Sequence, residues 1–305
     1  MSQRDVKNRI ASFKNVQKIT RAMEAVSAAR LRRAEQRIEA LRPYAAALRR
    51  MTRQAAEAAG SAEASRLPVI ATHETEQNIG LLLVTADRGL AGAFNSQILR
   101  AGTRAGAEFT AAGKTPVWFA SGRRGVSSLR FRNQELSGAY TGFTDRPSYA
   151  DARSIAGDLV TAYVDGKVDR VDIFYNGFVS ALTQKMTRET LLPIAKATIL
   201  GDEDDDESAA ETDAGRPRHR ALVEYEPDPQ EILRRLVPDY VEVSIYRALL
   251  ESTASEHGAR MTAMRSASEN AGELIEDLTL ELNRARQADI TAEIMEVVAG
   301  AESLV

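Results

Sequence analysis

The stretch DYVEVSIYRALLESTASEHGARMTAMRSASENAGELIEDLTLELNRARQADITAEIMEVVA, Asp239 to Ala299, decides the fold. It contains no proline, is bracketed by Pro238 and Gly300, and predicts one helix entered at Pro238, where a missing N–H costs nothing. At a rise of about 1.5 Å per residue such a helix is about 90 Å long, more than a single globular domain can cover. Its apolar positions Met261, Met264, Ala267, Ala271, Ile275, Leu278, Leu282 and Ala285 fall at steps of three and four, forming one seam. One seam needs one partner helix.

The other end of the chain supplies it. Val6, Ile10, Phe13, Val16, Ile19, Met23 and Val26, then Leu31, Ala34, Ile38, Leu41, Ala45 and Leu48, again step by three and four, with a slip near Ala29 and a proline at Pro43 that predicts a kink. Two long single-seam helices at opposite ends of one chain pair most simply as an antiparallel coiled coil, and everything between them becomes a folded insertion. The first helix is also strongly basic, with fourteen Lys or Arg against four acids from Met1 to Arg53, although the whole chain carries a net charge of −3. A solvated face is the plain reading of such a run. A nucleic-acid surface would interleave stacking aromatic residues with the arginines, and a membrane-surface helix would be dominated by Trp, Phe and Leu on its apolar face, whereas Val, Ile, Met and Ala predominate here. An acidic protein partner fits best among the functional readings.

Composition narrows the field further. The 305 residues are 44% hydrophobic but 6% aromatic, which favours helices packed through small side chains. There are no cysteines, so thiol catalysis, disulfides and cysteine metal sites are excluded. No apolar run is long enough to span a membrane and no leader pattern opens the chain, so a soluble intracellular protein is expected.

Between the helices the rhythm changes. Residues 60–77 predict a loose connection. Ile79–Thr85, Pro116–Ala120 and Val171–Tyr175 are short, continuously apolar runs, alternating with helical segments at Asn95–Ala112 and Ser148–Val164. This alternation predicts a Rossmann-like α/β domain with a mostly parallel sheet. Thr187–Leu192 and Ala221–Tyr225 read as further edge strands, and Asp228–Val237 as a short helix. The organisation expected is therefore an N-terminal coiled-coil helix over 1–59, a central α/β domain over 78–237, and a C-terminal coiled-coil helix over 238–305. Residues 202–213 carry eight acids without apolar periodicity, which predicts a disordered insertion at about 201–220.

The turn Asp87-Arg88-Gly89 follows the first strand, where open α/β sheets bind ligands. It matches neither G-x-G-x-x-G nor G-x-x-x-x-G-K-[ST], so the structural reading has Asp87 and Arg88 engaging each other or nearby backbone, with Gly89 and Gly92 permitting a tight turn. His73, His219 and His257 have no partners at metal-ligand or catalytic spacing. A nucleotide-binding α/β enzyme with a helical oligomerisation arm and a coiled-coil scaffold both remain open on this reading.

Four motifs in order, Lys18-Ile19-Thr20-Arg21-Ala22-Met23-Glu24, Asp87-Arg88-Gly89-Leu90, Tyr225-Glu226-Pro227-Asp228-Pro229 and Asn283-Arg284-Ala285-Arg286-Gln287-Ala288-Asp289-Ile290-Thr291, resemble the gamma subunits of F-type ATP synthases. The resemblance implies a non-catalytic rotor shaft that couples turning of the c-ring to the catalytic beta subunits. Its partners would be the hexamer of alpha and beta subunits, the epsilon subunit and the c-ring. It implies no cofactor, no metal and no nucleic acid, and a peripheral position at the cytoplasmic face of the bacterial cell membrane. It also implies that Met23, Arg260, Arg286, Gln287 and Thr291 serve the alpha/beta sleeve and that Tyr225 and Glu226 face the c-ring. Photosynthetic relatives carry a two-cysteine redox insert where this chain has its acidic run, so that regulation does not transfer.

Overall fold

A computed structural model describes residues 3–60, 67, 69–71, 73, 75–194 and 228–302. In chain order the elements are α1 (Gln3–Ala59), β1 (Asn78–Val84), α2 (Phe94–Ala111), β2 (Thr115–Ser121), α3 (Arg123–Phe131), β3 (Leu136–Tyr140), α4 (Tyr149–Val164), β4 (Arg170–Phe178), β5 (Gln184–Leu192) and α5 (Pro229–Glu302). The sheet runs β3-β2-β1-β4-β5, parallel throughout except for the antiparallel edge strand β5. The acidic run and the Ala221–Tyr225 segment lie outside the described residues.

The two terminal helices pair as expected, but on a more regular seam than apolar residues alone suggest. The inward positions of α1 are 6, 10, 13, 17, 20, 24, 27, 31, 34, 38, 41, 45, 48, 52, 55 and 59, all buried or half-buried and alternating strictly by four and three. On α5 the matching positions are 254, 257, 261, 264, 268, 271, 275, 278, 282 and 285. This is the 3.5-residue repeat of a left-handed coiled coil. There is no slip near Ala29. Following hydrophobicity moves the seam one residue off phase, because Gln17, Thr20, Glu24 and Ser27 occupy it while Val16, Ile19 and Val26 are 45%, 59% and 52% exposed. Small and polar residues hold the middle of the shaft: Gln17 Nε2 donates to the Ser268 carbonyl (3.3 Å) and Arg265 Nε to Glu24 (2.9 Å). The direction is antiparallel, since Gln3 meets Asp289 and Leu31 meets Ala254. Pro43 sits off the seam, exposed, and α1 continues through it.

The C-terminal helix starts earlier than expected. Pro229 occupies its first turn, Asp228 O accepts from Glu231 N and Ile232 N, and Pro238 lies inside the helix. Leu233, Val237, Val241, Ile245 and Leu249 are buried in the core against β4 and α4, and this packing outweighs the one backbone bond that Pro238 removes. The first third of α5 is therefore part of the α/β domain, and the boundary drawn at 238 falls within one helix.

Leu67 and residues 69–71 also depart from a loose connection. Leu67, Val69 and Ile70 are buried in the same core, and Tyr163 donates its hydroxyl proton to the Ala71 carbonyl (2.6 Å). Two short elements carry too little signal to be expected from sequence: α3 is rich in arginine, and β3 (LSGAY) lacks β-branched residues and contains Gly138. Ser148 opens α4 with a reciprocal capping box to Asp151, as its position before the helix predicts.

Candidate functional site

The C-terminal ends of β1 and β4 mark the crevice where a sheet of this topology takes ligands. Here the chain fills it with itself. The first-turn N–H groups of α3 are all taken by the preceding turn: Arg123 N donates to Asp87 Oδ1 (3.0 Å), Arg124 N to the Ala86 carbonyl (3.1 Å) and Gly125 N to Thr85 Oγ1 (2.8 Å). Asp87 thus supplies the negative charge that a phosphate would bring to a helix N-terminus. From the other side α5 lies over the crevice, leaving a cavity of about 10 Å³ between Val84, Thr85, Thr144 and Glu256, room for roughly one water molecule. Among the described residues no three His, Cys, Asp or Glu side chains converge as metal ligands.

Asp87 does not pair with Arg88. Its second oxygen accepts from Gly142 N (2.9 Å), Thr144 N (3.2 Å) and Thr144 Oγ1 (3.0 Å), so it organises the loop after β3. Arg88 instead points at Asp145 (3.4 Å). The carbonyl of Gly89 accepts from Arg260 Nη2 (3.2 Å) and Nε (3.4 Å). Leu90 and Gly92 adopt positive φ (61° and 54°), which makes the turn tight enough for that approach.

Arg260 is therefore placed differently from an outward-facing partner residue. Its side chain is 8% exposed, ion-paired with Glu256 and 3.3 Å from His257 Nδ1. Burial raises the Glu256 carboxyl despite the opposing Arg260 charge, and burial together with Arg260 pushes His257 down to about 4, so the imidazole is neutral at physiological pH. Asp145 is held below the ordinary carboxylate range: burial works to raise it, but the Arg30 and Arg88 guanidinium groups outweigh that.

At the distal end of the shaft, Arg286, Gln287 and Thr291 are exposed beside the seam. Thr291 Oγ1 donates to the Gln287 carbonyl (2.9 Å), so its donor is engaged within the helix while its oxygen stays open. Met23 is half-buried, and its carbonyl accepts from Ser27 Oγ (2.7 Å). Tyr225 and Glu226 lie outside the described residues. The structure thus gathers Asp87, Arg88, Gly89 and Arg260 at the junction of shaft and domain, and leaves Arg286, Gln287 and Thr291 far along the shaft. Asp145, Arg30 and Glu256 join the junction without any motif to announce them; each is an isolated charge in sequence, found only because the fold brings it to the crevice.

Both helices also leave apolar side chains uncovered outside their seam: Val16, Ile19 and Val26 on α1, and Leu274, Leu280, Ile290, Ile294, Met295 and Val297 on α5 are 44–72% exposed. Aligned along a rod, such residues mark an interaction surface. No helix among the described residues is long and apolar enough to cross a membrane.

The family model described as ATP synthase matches residues 2–304. The ATP synthase gamma chain of Rubrobacter xylanophilus is 43% identical over 303 residues, covering 99% of this chain and 98% of its own length. That of Moorella thermoacetica is 42% identical over 301 residues, covering 99% and 98%. Among solved structures, a chain of the Tetrahymena thermophila mitochondrial ATP synthase central stalk and c-ring aligns with a TM-score of 0.60 at 25% identity, over 82% of this chain and 99% of that one. A chain of the Euglena gracilis mitochondrial enzyme aligns with a TM-score of 0.67 at 16% identity, over 99% and 94%, and shares the fold.

Proposed function

This chain belongs to the ATP synthase gamma-chain family, and we propose that it is the rotor shaft of an F-type ATP synthase. It carries no catalytic site of its own and couples c-ring rotation to the beta subunits. The observation that carries the reading is the shaft itself: one unbroken heptad seam joins the two ends of the chain, and its outer face keeps apolar residues uncovered. A rod with that surface requires a sleeve, which we assign to the alpha and beta subunits. The c-ring and epsilon are assigned to the α/β domain at its foot, with Tyr225 and Glu226 on the c-ring side. The complex is membrane-associated, and we place this chain at the cytoplasmic face. The excess of basic residues on α1 suits acidic segments of the beta subunits.

Arg286, Gln287 and Thr291 are proposed as sleeve contacts, the arginine giving a directional bond to a carboxylate and the other two neutral bonds exchangeable during rotation. Met23 is assigned to the same surface, whereas Arg260 acts from within, by fixing the Gly89 carbonyl. The experiment is reconstitution: alpha and beta mixed with this chain should show cooperative, rotary ATP turnover at one copy per three alpha and three beta, and equal turnover without it would sink the reading. In the same assay, Gln287→Ala with Thr291→Val should lower turnover about fivefold, as expected for losing two neutral hydrogen bonds. The melting midpoint of the chain should not move, because both side chains are exposed. Unchanged turnover would remove these residues from the contact surface.

A further inference from the structure

We infer that Asp145, in the loop between β3 and α4, is a positioning residue that braces α1 against the α/β domain, so that the shaft turns with its foot instead of twisting against it. The inference rests on the rotor reading above and adds to it a specific point of torque transfer.

The polar cross-links of α1 at Gln3, Gln17 and Glu24 run to α5, within the shaft. At Arg30 the cross-link leaves the shaft: its guanidinium donates to Asp145 Oδ2, which Arg88 also approaches at 3.4 Å. Asp145 Oδ1 is buried without a hydrogen-bond partner among the described residues, so the carboxylate relies on these two arginines. The loop that carries it is itself fixed on two sides. Asp87 holds Gly142 and Thr144 from the domain, and Thr253 Oγ1 of α5 donates to the Thr144 carbonyl at 2.9 Å. One turn of the loop is thereby bonded to β1's turn, to α1 and to α5.

At the same level, Leu31 and Ala34 of α1 pack with Phe178 and Ala181 of the β4–β5 hairpin. The hairpin presses close enough to α5 that a Cβ on Gly258 would stand 2.9 Å from the Ala181 carbonyl oxygen. Apolar contact with the hairpin and an ionic contact with the Asp145 loop thus hold α1 in a collar. Apolar packing resists separation but permits sliding, since it is non-directional. A charge-assisted bond from Arg30 has a direction, and it is the component of the collar that opposes rotation of α1 about its own axis. With side chains 39% and 29% exposed, the pair contributes little to folding stability, so its variants should fold.

The test uses the assembled complex, held by its alpha and beta subunits, with a probe on the α/β domain to read angular fluctuation when stalled. Arg30→Ala and Asp145→Asn should each lower torsional stiffness by about twofold, and the double variant should be no softer than either alone, the mark of a shared interaction in a double-mutant cycle. Arg30→Lys should restore part of the loss, and raising salt should soften the wild type toward the variants. Stiffness unchanged in both variants, or additive losses in the double, would overturn the brace. Melting of each purified variant controls for folding, and Asp145→Asn keeps the shape of the loop if Arg30→Ala proves poorly assembled. A wild-type probe that fails to rotate with ATP would remove the rotor reading itself, whereas normal rotation with unaltered stiffness in the variants would remove only the brace.

Discussion

Gly122→Ala is expected to prevent the α/β domain from forming. Gly122 follows β2 and is the N-cap of α3, with φ 91° and ψ 139°, a conformation open to glycine and strained for any residue with a Cβ. The strain alone costs about 1–3 kcal/mol. In addition, a Cβ there would stand 2.2 Å from the Thr85 carbonyl oxygen and 2.8 Å from Thr85 Oγ1. The carbonyl is main chain at the end of the central strand, so it cannot swing aside. Relief would require β1 and β2 to separate where Thr85 Oγ1 donates to the Ser121 carbonyl (2.7 Å) and accepts from Gly125 N. The strain, the main-chain clash and the lost bonds all act against a total margin of only about 5–15 kcal/mol for a typical domain. Gly142→Ala is the matched control: φ is 98°, yet no atom lies within 4 Å of its Cβ position, so only the strain applies. Circular dichroism and thermal unfolding of the two variants should therefore differ sharply, Gly142→Ala melting a few degrees lower and Gly122→Ala showing no cooperative transition. Equal melting of the two would refute the close approach of Gly122 to the Thr85 carbonyl.

Arg260→Ala should cost about 3–5 kcal/mol at pH 8, because it leaves the Glu256 charge buried without its partner. Both side chains of that pair are nearly inaccessible, at 8% and 2% exposure. The cost should depend on pH in a definite direction. Burial already raises the Glu256 carboxyl in the intact chain, and losing Arg260 raises it further. A group whose folded pKa is raised destabilises as pH rises through that value, so the variant recovers as pH falls and Glu256 takes up a proton. His257 works oppositely in the intact chain. Its folded pKa of about 4 lies below its ordinary 6.5, so the unfolded chain binds a proton first and stability falls as pH drops from 6.5 toward 4. Arg260 contributes to that depression, so its removal also weakens the acid sensitivity of the fold. Denaturant unfolding of both proteins at pH 8 and pH 5 should show the gap between them narrowing. A gap that widens toward acid would mean that the arginine does not hold Glu256 ionised.

How much of this was legible in the residues depends on the kind of signal. The coiled coil and the strands β1, β2 and β4 announce themselves by period and by continuous apolar runs. The phase of the seam was hidden because hydrophobicity and geometry disagree between Val16 and Val26. The heptad passes through Gln17, Thr20, Glu24 and Ser27, and the valines and isoleucine beside it stay uncovered. That disagreement is itself informative, since apolar residues kept out of a seam serve a surface. Pro238 misled for a related reason: local chain chemistry favours a helix start there, but the helix runs on through it, with Val237 and Val241 buried in the core on either side. Gly258 and Gly272 both mark close approaches, Gly272 to Gln17 of α1 and Gly258 to the β4–β5 hairpin, the second being a contact that sequence cannot specify. The junction was least legible. Asp87 and Arg88 stood out as a turn, but their partners Thr144 and Asp145 are more than fifty positions away, and nothing local identifies them.

The pairing of the two chain ends has a consequence for biosynthesis. Gln3 bonds to Asp289, a separation of 286 residues, and the seam of α1 closes on α5 along its length. At about 5–20 residues per second, a ribosome leaves α1 without its partner for roughly 12–50 s after the helix emerges. Throughout that interval an amphipathic segment waits beside an α/β domain whose own core also needs the start of α5.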